Sequence, residues 1–160
     1  MVKAMGIEIE RKFLISSDAW RSESDAGSQI VQGYLPTDAS CAVRVRVAGD
    51  NAWLTIKGSA HGGVSRAEYE YAIPVDDAHG LLSTMARRPY VEKCRFRVPR
   101  GTHTWEIDVF EGDNLGLVVA EIELSSEAEA FARPDWLGAE VSADPRYSNA
   151  ALVKHPYSSW

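Results

Sequence analysis

Seven stretches of this chain set charged side chains at alternate positions, with mostly apolar residues between them. The first reads Ile7-Glu8-Ile9-Glu10-Arg11-Lys12-Phe13-Leu14-Ile15. A two-residue period belongs to the β-strand, whose successive side chains point to opposite faces. Strands are expected at 7–15, 29–35, 43–47, 52–57, 65–73, 91–98, 103–110 and 117–124. Gly49-Asp50-Asn51, Pro99-Arg100-Gly101 and Glu111-Gly112-Asp113-Asn114 supply turns between neighbours. The period changes at 75–87, where Leu81, Leu82 and Met85 recur at helical spacing behind Asp76 and Asp77. Short helical pieces are expected at 126–132 and 149–155, with a loop over 134–141. Eight strands joined mostly by short turns predict an α+β fold, an eight-stranded antiparallel sheet or barrel with helices packed outside. No repeat, linker or low-complexity segment divides residues 1–160, so one domain is expected.

Composition removes several function classes. The chain has 160 residues, with 17 Lys and Arg against 23 Asp and Glu and a formal net charge of −6. That acidity argues against a sequence-blind nucleic-acid binder. No apolar run approaches the roughly 18 residues of a membrane span. No apolar segment near the start marks a secretory signal, and Met5-Gly6 offers a second start that leaves residues 1–4 as a tail. Cys41 and Cys94 lack the pattern of a zinc site or a disulfide framework, and are read as reduced thiols of a cytoplasmic protein. A homodimer is compatible with the sequence, which does not specify an oligomeric state.

On single faces of the strands sit Lys12, Arg44, Arg46, Lys57, Arg66, Lys93, Arg95 and Arg97. The same faces carry Glu8, Glu10, Glu68, Glu70, Glu106, Asp108, Glu121 and Glu123, while the opposite faces carry Ile7, Phe13, Val45, Ile107, Ile122 and their like. An antiparallel sheet with one solvated face accounts for this without further chemistry. Two features weigh against that reading. Charge is sorted by strand, basic at 43–47 and 91–98, acidic at 103–110 and 117–124. Five of the eight cations are Arg, whose rigid fork suits phosphate or carboxylate. The alternative is a closed barrel with the charges inside. Burying that many charges costs several kcal/mol each unless they are paired or a ligand fills the tunnel. Clustered Arg and Lys ask for a polyanion, and clustered carboxylates for a hard divalent cation, Mg²⁺ or Mn²⁺. The combination belongs to phosphoryl chemistry. Periodicity alone leaves both arrangements open.

Specific motifs separate them. Glu8-Ile9-Glu10-Arg11-Lys12 matches the ExExK signature of the CYTH superfamily, the triphosphate tunnel metalloenzymes. Arg44-Val45-Arg46, Leu54-Thr55-Ile56-Lys57-Gly58, Arg66-Ala67-Glu68-Tyr69-Glu70 and Lys93-Cys94-Arg95-Phe96-Arg97 resemble its strand motifs in family order. So do Trp105-Glu106-Ile107-Asp108-Val109-Phe110 and Ala120-Glu121-Ile122-Glu123-Leu124. Trp136-Leu137-Gly138 and Asp144-Pro145-Arg146-Tyr147-Ser148-Asn149 resemble the bacterial branch, so the resemblance runs over essentially the whole chain.

The resemblance implies an eight-stranded antiparallel tunnel that binds a triphosphate group with Mg²⁺ or Mn²⁺. The compact chain looks most like the bacterial stand-alone inorganic triphosphatases, which release pyrophosphate and phosphate. Adenylate cyclase, thiamine triphosphatase and an idle polyphosphate- or nucleotide-binding module are the alternatives. By the same resemblance Glu8, Glu10, Glu121 and Glu123 are metal-binding carboxylates, and Asp108 and Glu106 complete the acidic wall as ligand or support. Lys12, Arg44, Arg46, Lys57, Arg95 and Arg97 form the basic wall that grips phosphates, with Lys12, Lys57, Arg44 and Arg46 placed closest to the chemistry. Lys93 and Arg66 are read either as phosphate contacts or as residues at strand ends, and Glu68 and Glu70 either as ligands or as braces for neighbouring cations. Trp53 falls on the inward parity of its strand and narrows one mouth. Lys154 is read as a solvated lysine in preference to a cap on the tunnel. The second strand shows no diagnostic residue, and His61, His79, His103 and His155 are assigned no chemistry.

Overall fold

The computed structural model describes residues 6–38, 40–59 and 64–160. The tail at residues 1–4, the second start at Met5 and the reading of His61 lie outside the described residues. Strands β1 (Ile7–Ile15), β2 (Ser28–Leu35), β3 (Cys41–Ala48), β4 (Asn51–Gly58), β5 (Ser65–Ile73), β6 (Val91–Arg100), β7 (His103–Phe110) and β8 (Val118–Glu123) form one antiparallel sheet. The order is β5-β4-β3-β2-β6-β7-β8-β1, and a β5–β1 pairing closes it. The closed barrel is therefore the arrangement adopted, and the solvated sheet is not. Closure removes the exposed edges of an open sheet.

The outer face carries most of the apolar core. Phe13, Val98, Trp105, Ile107, Ala120 and Ile122 point outward and pack under Trp20 and Trp136. Trp105 sits edge-on to Phe13, Phe131 and Trp136. On the other side, Ala78 and Leu82 of α1 (Val75–Thr84) cover Val45 and Ala52. One end of the interior is also apolar. There Val91, Phe110, Leu117 and Val119 receive Leu152 of α2 (Asn149–Lys154), which plugs that end. Among the described residues, no helix is long and apolar enough to cross a membrane.

Three expectations need correction. The helix at 75–87 stops at Thr84, and the Arg87 N–H turns to the Tyr34 carbonyl instead of continuing the helical ladder. No helix forms at 126–132. The Glu129 carboxylate accepts from the Ser125 N–H and hydroxyl and from His103 at 2.7 Å, and Phe131 packs against Phe13 and Trp105, so tertiary contacts set this segment's path. The loop over 134–141 contains a ninth strand, β9 (Leu137–Glu140), which pairs with β1 at Ile15↔Leu137 and Phe13↔Glu140. Gly138 is required there, because a Cβ would stand 2.9 Å from the Leu14 carbonyl oxygen.

Candidate active site

The barrel encloses a cavity of about 600 Å³. All eight inward-facing cations named from the sequence line it, with seven of the eight carboxylates. The exception is Asp108, which is fully buried behind the wall. Its carboxylate accepts from Lys93 Nζ at 2.6 Å and from Arg95 Nε and Nη2 at 2.7 and 2.8 Å. Burial alone raises its pKa, but Arg95 and Lys93 outweigh that and hold it below its ordinary value. Both Asp108 oxygens are thus already engaged, and of the two expected roles, ligand or support, this geometry fits support.

Charge sorting by strand becomes cross-strand pairing once neighbours run antiparallel. Arg95 faces Asp108 and Arg97 faces Glu106 across β6–β7, and Lys57 faces Glu68 across β4–β5. Arg95 also reaches Glu106 at 3.0 Å and Glu121 at 3.2 Å. Lys57 Nζ lies 2.9 Å from both Glu8 and Glu68, and Arg66 Nε lies 3.1 Å from Glu8. Lys12 reaches Glu121 at 3.4 Å. Arg44 and Arg46 share Glu70 at 3.4 and 3.5 Å, and Thr55 donates to the same carboxylate at 3.0 Å. The interior is therefore a lattice of interleaved ion pairs. Separate acidic and basic walls do not form.

Glu10 departs from that pattern. Among the described residues no cation lies within ion-pairing distance of its carboxylate. It stands directly opposite Glu123 across β1–β8, a like-charge placement that destabilises a sheet unless something offsets it. Burial, then the charges of Glu121 and Glu8, push the Glu10 pKa up to about 8. Crowded, desolvated carboxylate oxygens suit a hard divalent cation. No group of three His, Cys, Asp or Glu side chains stands ready for a metal among the described residues. Mg²⁺ is commonly held by one or two carboxylates plus substrate phosphates, so the donor set fits such an ion.

The sequence reading missed residues on β2 and near α2. Tyr34 of β2 lines the cavity, and burial raises its hydroxyl pKa against the nearby Arg44 charge. Ser148, Asn149 and Ala150 close the inner end. Asn149 Oδ1 accepts from Lys93 at 3.1 Å, and the Tyr147 carbonyl accepts from Lys12 at 3.3 Å. Even-numbered parity along β2 was the available signal for Tyr34, and for Ser148 and Asn149 it was the motif Asp144-Pro145-Arg146-Tyr147-Ser148-Asn149, to which no site role was given. Lys154 is exposed and does not line the cavity. Trp53 does line it, with the Arg46 guanidinium 4.9 Å above its ring. Trp105 belongs to the outer core.

Comparisons with known proteins agree with this geometry. The family model described as the CYTH domain matches residues 6–157. An inorganic triphosphatase of Acetivibrio thermocellus is 48% identical over 156 residues, covering 98% of this chain and 99% of its own. One of Nitrosomonas europaea is 41% identical over 153 residues, covering 91% and 96%. The crystal structure of the inorganic triphosphatase NE1496 superposes with a TM-score of 0.63 at 35% identity, covering 91% of this chain and 93% of that one. A family match that spans every strand of the barrel, with relatives of nearly equal length, leaves one assignment: the chain belongs to the CYTH domain family.

Proposed function

We propose that this protein is a metal-dependent inorganic triphosphatase acting on a small-molecule substrate. The observation that carries the reading is the enclosed cavity, lined by eight cations and seven carboxylates. Its relatives named inorganic triphosphatase, 48% and 41% identical, support the same activity. Lys12, Arg44, Arg46, Lys57, Arg95 and Arg97 bind the phosphate chain, and Lys93 and Arg66 support them through Asp108 and Glu8. Charge-assisted contacts of this kind hold the chain in line and offset the negative charge that moves to the leaving pyrophosphate. Glu10 and Glu123 would hold Mg²⁺ or Mn²⁺, with Glu8 and Glu121 beside them. Glu106, Glu68 and Glu70 brace the neighbouring cations. When bound, the ion supplies Lewis-acid polarisation of phosphate oxygens and lowers the pKa of a coordinated water. The raised pKa of Glu10 belongs to the metal-free protein, and a cation held there would favour its carboxylate form.

The test offers the purified protein triphosphate, ATP and thiamine triphosphate with Mg²⁺ or Mn²⁺, and measures phosphate and cyclic AMP. Phosphate release from triphosphate, with little from ATP and no cyclic AMP, is expected. Comparable release from ATP overturns the specificity. No release from any substrate with either metal overturns the enzyme.

A further inference from the structure

Among the described residues, eight buried side-chain nitrogen or oxygen atoms have no hydrogen-bond partner. Three are tryptophan indole nitrogens of the outer core and one is Arg100 Nε. The other four share the inner face of two adjacent strands: both amide atoms of Gln32 on β2, and the Nε atoms of Arg44 and Arg46 on β3. Gln32 is fully buried. It faces inward by parity but lies within the wall, beside the cavity and not among its lining residues. Buried amides are almost always satisfied, so an orphaned one next to a binding tunnel calls for an explanation.

Two neighbouring rungs of the barrel wall show what is missing. In one, Tyr34, Arg44, Thr55 and Glu70 lie side by side across four strands. That rung ends in a carboxylate, which accepts from Thr55 at 3.0 Å and from Arg44 at 3.4 Å. In the next, Gln32, Arg46, Trp53 and Ala72 occupy the same positions. This rung ends in a methyl group and supplies no carboxylate of its own. Arg46 instead lies over Trp53 and reaches sideways to Glu70 at 3.5 Å. Burial, then the Arg44 charge, lowers its pKa to about 10. Moreover, β2 carries only Ser28, Ile30, Gln32 and Tyr34 on its inner face, and it lies between the basic strands β3 and β6. The sector is rich in donors and short of one acceptor, which a phosphate oxygen would supply.

We propose that Gln32 is a positioning residue for Arg46, ordering its guanidinium for a phosphate group of the substrate. The amide oxygen accepts from Arg46 Nε once the guanidinium turns from Trp53 toward the anion, and the amide N–H₂ gains an acceptor in the same rearrangement. This inference rests on the triphosphatase reading and extends it to a strand with no charged residue on its inner face.

Gln32→Leu and Gln32→Met remove the amide and keep most of its volume. Replacing an unsatisfied buried polar group by an apolar one of similar shape is neutral or stabilising. Both variants are therefore expected to melt, without ligand, at or above the wild-type temperature. With triphosphate and Mg²⁺ their KM is expected to rise about tenfold, as for a lost hydrogen bond to a charged group, with kcat changed by less than about threefold. An unchanged KM, or a loss confined to kcat, overturns the proposal. A melting temperature lowered in both ligand-free variants also overturns it, because the amide is then satisfied in the empty protein. Wild-type protein is measured in parallel. If it shows neither turnover of triphosphate nor a thermal shift with it, the triphosphatase reading fails and takes this inference with it. Wild-type turnover with no change in the variants refutes the role of Gln32 alone.

Discussion

Asp108→Asn separates a brace from a metal ligand. The side chains of Lys93 and Asp108 are 2% and 0% exposed, and Asp108 accepts from both Lys93 and Arg95. Asparagine keeps one acceptor oxygen and loses the charge, leaving two buried cations short of their partner. Removing one member of a buried pair typically destabilises by about 3–5 kcal/mol. A chain of 160 residues has an unfolding entropy of roughly 0.3 kcal/mol/K at its midpoint, so the melting temperature should fall by about 10–15 °C. The loss should shrink at low pH. The Asp108 pKa is depressed in the folded protein, so its contribution is present above the ordinary carboxylate pKa and disappears as pH falls through the folded value. Scanning calorimetry between about pH 3 and 7, beside a metal titration of activity, measures both quantities. The metal concentration for half-activity should stay within about threefold of wild type, because neither Asp108 oxygen lines the cavity. A variant of unchanged melting temperature that needs tenfold more metal would refute the brace and make Asp108 a ligand.

Glu10→Gln should change the pH dependence of the metal-free protein. The Glu10 pKa is raised to about 8, so its ionisation opposes folding, and wild-type stability should fall as pH rises from about 4.5 to 8. The variant should lose that slope in pH-dependent melting and should need far more metal for activity. An unaltered slope would remove Glu10 from the account. Gly138→Val drives a side chain into the Leu14 carbonyl, 2.9 Å from where its Cβ would stand, and should cost about 1–3 kcal/mol in a denaturant titration. Amide exchange should quicken at β9 and the adjoining half of β1 before it quickens at β6 or β7. A variant as stable as wild type would show that β9 contributes little.

Most of the barrel was legible because seven of its eight strands repeat one instruction, charge inward and apolar outward. Strands β1, β5 and β7 have the bounds that periodicity marks. The failures have local causes. Leu137-Gly138-Ala139-Glu140 is too short and too lacking in β-branched residues to read as a strand, and only its pairing with β1 makes it one. Residues 126–132 have helical composition, but Glu129 is taken by Ser125 and His103, a contact from a distant strand. In the site, parity identified which charges face inward. It could not show that Asp108, sharing that parity, is covered by Lys93 and Arg95. It also passed over Tyr34 and Gln32, because attention to charge skips a neutral strand between two basic ones.

The interleaving of charges has a consequence for the order of assembly. Eight cations and seven carboxylates line the cavity, with Asp108 directly behind, so the empty interior is close to electrically neutral. A multiply charged anion cannot enter such a space alone without leaving it strongly negative in a region of low dielectric. Charge compensation must arrive with it as divalent cations, because Glu10, with its pKa raised to about 8, already holds its proton at neutral pH. Loading the tunnel is therefore a coupled uptake of anion and counter-charge. Affinity for the anion should depend jointly on metal concentration and pH, and each species should tighten the binding of the other by the same factor.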